Sequence, residues 1–104
     1  MIALMNSPRL TSYGHYDYKQ ISLSEVKSLI ESGFTSYIGH QSTAELISRI
    51  LGVRVEQNRV MYYQLPGDQA IIFENQTRLN ENDILDFYDL EKLDFRFALL
   101  TRLT

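Results

Sequence analysis

Two stretches of this chain carry the same punctuation, a Ser-x-x-Glu step, an apolar stripe and a closing glycine, and that repetition constrains the fold more than any other feature. In the first, Ser22 and Glu25 have capping-box spacing, Val26, Leu29 and Ile30 fall on one helical face, and Gly33 is placed to end the helix. In the second, Ser42 and Glu45 repeat the spacing, Leu46, Ile47 and Ile50 form the stripe, and Gly52 lies at the end. Around these helices stand apolar runs too short to be helices themselves. Residues 2–5, followed by Asn6, Ser7 and Pro8, and residues 34–39 read as buried strands. Helices interleaved with strands require a layered fold that contains both.

The remaining segments fill in the sheet. A loop through Tyr13-Gly14-His15-Tyr16-Asp17-Tyr18 leads to a short strand expected around residues 19–23. Residues 59–65 and 69–73 read as a hairpin, because Pro66-Gly67 would supply the two central positions of a type II turn. A polar loop spans residues 74–80. Residues 83–91 place Ile84, Phe87 and Tyr88 at helical spacing, and residues 95–103 alternate as a strand through Phe95, Phe97 and Leu99. The expectation is an α+β fold, one small domain over residues 1–104, with a mixed sheet of about five strands flanked by about three helices. No internal repeat, low-complexity tract or linker interrupts it.

At 104 residues, 44% of them hydrophobic, the chain can bury a single core. It has no cysteine, so disulfides, thiolate nucleophiles and Cys-ligated metals are excluded, which suits a reducing cytosol. The run Met1-Ile2-Ala3-Leu4-Met5 is too short for a signal core or a membrane span, and no basic residue precedes it. A cytoplasmic protein without a membrane partner is expected, in the host cytoplasm if the source is viral. Thirteen acids against ten scattered bases leave a net charge of −3, without the basic footprint that duplex DNA requires. An anionic ligand would have to be held locally.

The segment Ile38-Gly39-His40-Gln41-Ser42-Thr43 is where chemistry is best placed. A strand, a glycine and a helix N-terminus meet there, so backbone N–H groups and the positive end of the helix dipole face an approaching ligand, and Gly39 permits close approach. Ser42 and Thr43 add hydroxyls, and His40 can give or take a proton near neutral pH. The alternative is a capped helix preceded by an ordinary histidine, since capping boxes need no ligand. Only His15 and His40 offer imidazole, neither with a second ligand at short helical spacing, so neither metal nor cofactor is expected. No Gly-x-Ser-x-Gly elbow suggests a serine hydrolase. A reaction whose substrate brings its own nucleophile asks least of such a chain. The 2′-hydroxyl of RNA is one, attacking the adjacent phosphorus while a histidine protonates the departing 5′-oxygen.

Tyr13, Tyr16 and Tyr18 around His15 suggest base stacking, but fit better as cover for a core edge or a subunit contact. Asp83, Asp86, Asp89, Glu91 and Asp94 read as the solvated face of the last helix and its exit. Arg78 and Glu81, taken alone, read as surface residues, although an arginine there can fork onto a phosphate and a glutamate can orient a histidine.

Ile38-Gly39-His40-x-Ser42-Thr43-x-x-Leu46-Ile47, then Gly52, Asn58-Arg59-Val60 and Arg78-Leu79-x-Glu81, resembles the viral ring nuclease family of type III anti-CRISPR proteins, which includes homologues on bacterial mobile elements. The resemblance implies a small α+β homodimer that binds the second messenger cyclic tetra-adenylate across its two-fold axis. It further implies metal-independent cleavage to linear products ending in 2′,3′-cyclic phosphate, which shuts off type III CRISPR signalling. Carried over by position, His40 is the catalytic histidine that protonates the leaving oxygen and Glu81 assists it. Arg78 clamps the ligand from a covering loop, and Ser42 and Thr43, with Gly39 beside them, face the phosphates. Asn6 and Ser7 match in part the family's Asn-Ala-Phe-Ser stretch, with Pro8 next and a different spacing. Asn82 leads almost at once into Asp83-Ile84-Leu85, so the covering loop should be shorter than in the family. Arg59 has no motif-based role and reads as structural. The alternatives are a non-cleaving sponge for cyclic oligonucleotides and a small protein-interaction module of a mobile element.

Overall fold

The computed structural model describes residues 1–75 and 94–104. Strand β1 (Ile2–Met5) is followed by β2 (Tyr16–Ile21), helix α1 (Leu23–Ile30), β3 (Phe34–Ser36), α2 (Gln41–Leu51), β4 (Gln69–Asn75) and β5 (Phe95–Arg102). The five strands form one mixed sheet in the order β2-β5-β4-β1-β3. β1 runs parallel to both β3 and β4, and β5 runs antiparallel to both β2 and β4. With two helices among the described residues, the α+β expectation holds. The helix expected over residues 83–91 lies outside the described residues.

The apolar runs of β1, β4 and β5 reflect strands buried on both faces. On one face Leu4, Ile71, Phe73, Phe97 and Leu99 pack against Val26 and Ile30 of α1 and Ala44, Leu46, Ile47 and Leu51 of α2. On the other, Ala3, Met5, Ala70, Ile72, Ala98 and Leu100 form a shallower layer against Tyr16, Tyr37 and Tyr62. Successive strand residues point to opposite faces, so each strand contributes alternately to the two clusters.

The first capping box forms as the spacing requires. Glu25 N–H donates to Ser22 Oγ at 3.1 Å, and Ser22 N–H donates to Glu25 Oε1 at 3.2 Å. The second does not form: α2 starts earlier, with His40 as its N-cap, and Ser42 falls inside the first turn. Glu45 accepts instead from Gln41 Nε2 at 3.0 Å. Gly52 ends α2 in the left-handed conformation at φ 72°, where glycine has no Cβ penalty.

The expected hairpin is corrected in one half. The Pro66-Gly67 turn is present, with Asp68 N–H donating to Leu65 O at 2.9 Å and Gly67 at φ 91°. Residues 59–65, however, form no strand, because β1 and β5 occupy both hydrogen-bonding edges of β4. They lie instead over the shallower face, where Tyr62 packs and Gln64 Nε2 donates to Asp68 O at 2.7 Å and Leu100 O at 3.0 Å. β2 begins at Tyr16, inside the expected loop, and its exposure on both faces hides the strand alternation.

Candidate functional site

Because β1 and β3 are parallel neighbours, their carboxyl ends lie side by side. The chain leaving β1 carries Asn6, Ser7 and Arg9, and the chain leaving β3 carries Tyr37, Gly39 and His40. Together with residues 59–62 they enclose an open cleft of about 420 Å³. The carboxyl ends of parallel strands are where α/β sheets commonly receive ligands.

The backbone ahead of His40 is held by the segment that follows α2. Ile38 forms a parallel bridge with Gln57, and Asn58 N–H donates to Ile38 O at 2.8 Å. Asn58 Nδ2 donates to Ser36 O at 2.8 Å, and Ser36 Oγ donates to Glu56 O at 2.6 Å. The Gly39 carbonyl accepts twice, from Gln57 Nε2 at 2.9 Å and Arg59 Nε at 2.8 Å, which occupies both of its lone pairs and fixes the peptide plane leading into His40. A Cβ on Gly39 would stand 3.3 Å from Arg59 Cγ, so the glycine lets this arginine lie close over the backbone. His40 is exposed, extended at φ −122° and ψ 132°, and its side chain does not cap the helix. Its carbonyl accepts the first helical bond, from Ala44 N–H at 3.0 Å.

Among the described residues no aspartate or glutamate lines this cleft, whereas Arg9 and Arg59 both do. In a chain of net charge −3 this is a local reversal of sign, suited to an anion. Tyr37 and Tyr62 form an aromatic wall, with ring centroids 4.8 Å apart and planes tilted by 48°. The Tyr62 phenol is pushed up to about 12, first by burial and then by the charge of Asp68. It therefore stands in the cleft as a neutral hydroxyl and not as a proton acceptor.

Of the residues singled out from the sequence, Asn6, Ser7, Gly39 and His40 share this cleft. Ser42 and Thr43 sit half-buried in the first turn of α2 and are not on its lining. Arg78, Glu81, Asp83, Asp86, Asp89 and Glu91 lie outside the described residues, and Asp94 is exposed. His15 is remote from the cleft lining, with Nδ1 2.8 Å from Thr104 Oγ1. Among the three clustered tyrosines only Tyr16 covers a core edge; Tyr13 is fully exposed and Tyr18 hydrogen-bonds Glu74. Arg59 is structural, as expected, but it is also part of the cleft, and Arg9, Tyr37 and Tyr62 join it without any signal in spacing. The Asn58-Arg59-Val60 block was the one clue to this third wall. Among the described residues, no three His, Asp or Glu side chains gather as a metal site, and no helix is long and apolar enough to cross a membrane.

Comparison with known proteins gives concordant matches. The STIV B116-like family matches residues 2–97. The protein YddF of Bacillus subtilis (strain 168) is 42% identical, over 98% of this chain and 97% of its own length. The protein ORF117 of Acidianus two-tailed virus is 33% identical, over 84% of this chain and 78% of its own. Among solved structures, B116 of Sulfolobus turreted icosahedral virus superposes with a TM-score of 0.82 over 97% of this chain and 98% of its own, at 20% identity, a likeness of fold.

Proposed function

The chain belongs to the STIV B116-like family, which has relatives in viruses, and we propose that it is a metal-independent ring nuclease for cyclic tetra-adenylate. The observation that carries this reading is the position of His40, at the wall of a cleft that also holds two arginines and, among the described residues, no carboxylate. Gly39 and His40 of the Gly-His-x-Ser-Thr block and Arg59 and Val60 of the Asn-Arg-Val block, the two blocks that resemble the ring nucleases, line the cleft's second and third walls.

In the proposed reaction the substrate's 2′-hydroxyl attacks the adjacent phosphorus and gives up its proton to solvent water. The bond from phosphorus to the 5′-oxygen breaks, and His40 delivers a proton to that oxygen as it leaves. The product is linear and ends in 2′,3′-cyclic phosphate. The cleft's guanidiniums offset charge on the phosphoryl oxygens, and Tyr62, held protonated, donates a hydrogen bond without competing as a base. Loss of the intact ring would end type III CRISPR signalling.

A cleft of about 420 Å³ is the size of a pocket for a drug-sized ligand, roughly 300–1,000 Å³. A cyclic tetranucleotide is larger, and its four phosphates need more donors than one cleft offers. A C2 homodimer doubles both volume and donors and places two copies of His40 toward opposite linkages.

The test is incubation of the purified protein with cyclic tetra-adenylate in excess EDTA. Linear products with 2′,3′-cyclic phosphate are expected. Complete dependence on added divalent metal would defeat the mechanism, and tight binding without products would select a non-cleaving sponge.

A further inference from the structure

Most described arginines already have partners. Arg54 lies 3.6 Å from Glu56 and Arg96 lies 3.5 Å from Glu74. Arg102 donates to three backbone carbonyls, and Arg59 gives its Nε to Gly39 O. Arg9 and Arg49 make no hydrogen bond or ion pair among the described residues, and of the two only Arg9 stands on the cleft wall, where it is exposed. All five of its N–H donors face solvent or the cleft.

We infer that Arg9 is a phosphate-binding residue of this cleft, setting ligand affinity by charge, while Arg59 acts on the same site as a positioning residue through Gly39. The identity of the ligand rests on the ring nuclease reading; the charge argument does not. Among the described residues the cleft lining carries two guanidiniums and no carboxylate, so an anion entering it meets net positive charge. Arg9 can form a forked, charge-assisted pair with phosphate oxygens without breaking an existing contact. Pro8 fixes φ immediately before it, so the backbone that presents the guanidinium loses less freedom on binding. Arg59 meets a phosphate only with the N–H groups left after its bond to Gly39, and its removal takes away one of the two donors, beside Gln57 Nε2, that hold the peptide leading into His40. Loss of Arg9 therefore falls mainly on affinity, and loss of Arg59 falls on both affinity and rate.

The experiment uses His40→Ala protein, so that no ligand is consumed, and titrates it by calorimetry with cyclic tetra-adenylate and separately with inorganic pyrophosphate. Adding Arg9→Ala should weaken both by about 10- to 100-fold, with a shallower salt dependence, and Arg9→Lys should recover part of the loss. Single-turnover cleavage by otherwise intact protein at saturating ligand should fall further in Arg59→Ala than in Arg9→Ala, because only Arg59 also bonds the peptide that leads into His40. Unchanged binding of cyclic tetra-adenylate in Arg9→Ala overturns the inference and leaves the ring nuclease reading standing. Arg9-dependent binding of pyrophosphate without any binding of cyclic tetra-adenylate upholds the anion site and overturns the ligand. Binding of neither probe overturns both.

Discussion

His40 joins two properties that a general acid needs, exposure to solvent-borne substrate and a preceding peptide held by hydrogen bonds. The first comes from its place at the exposed start of α2, the second from the paired donors on the Gly39 carbonyl. Replacing it with alanine should lower single-turnover cleavage by about 100- to 10,000-fold while binding changes little, because a general acid acts only as the bond breaks. Wild-type speed in that variant would remove the assignment. Tyr62 makes a different prediction. The folded chain keeps its phenolic proton up to about 12, against about 10 in the unfolded chain. Raising the pH past about 10 therefore strips unfolded molecules first, so folding stability falls from there until about 12. Burial likewise raises the Tyr18 phenol, with help from Glu74. Urea denaturation across the alkaline range should show this decline, and Tyr62→Phe should flatten it in part, with the remainder removed by Tyr18→Phe.

At the scale of elements, the turn at Pro66-Gly67 offers a clean test because glycine's conformation there is separable from packing. Gly67 has φ 91°, and a Cβ built on it meets nothing within 4 Å. Gly67→Ala should thus destabilise through the backbone alone, by about 1–2 kcal/mol, readable as a lower urea midpoint with unchanged slope. An equal midpoint would mean that the turn relaxes without cost. Its preceding segment shows why a correct turn does not guarantee a hairpin. Residues 59–65 run straight into the turn signal, yet strand pairing depends on a free edge, and β4 has none. The start of α2 teaches a related lesson: Ser42 and Glu45 have the spacing of a capping box, but the bridge between Ile38 and Gln57 and the bonds to Gly39 start the helix at His40.

Across the whole molecule, Arg102 ties segments that are far apart in sequence. From the end of β5 it donates to the carbonyls of Tyr13, Gln64 and Thr104, joining the loop after β1, the segment over the shallow face and the C-terminus. Arg102→Ala should cost roughly 1.5–3 kcal/mol, and lysine should not rescue it, because an ammonium cannot fork to three acceptors held apart. Thermal unfolding of both variants would decide. Assembly makes the second prediction at this scale: sedimentation at micromolar concentration should show a homodimer, and a monomer with and without ligand would count against the shared site.

The sequence by itself determined what is local and periodic. Apolar runs placed β1, β4 and β5, capping and glycine signals placed α1 and the end of α2, and the Gly39-His40 junction pointed to the candidate cleft, because each depends on neighbours in the chain. Only the tertiary structure decided which strands share an edge, and with it that residues 59–65 cover a face instead of joining the sheet. It also brought Asn6, Arg9 and Arg59 to one cleft with His40. The physical reason is that β1 and β3 lie parallel and adjacent although α1 and β2 separate them in sequence, and strand pairing over such distances leaves no periodic trace in the chain.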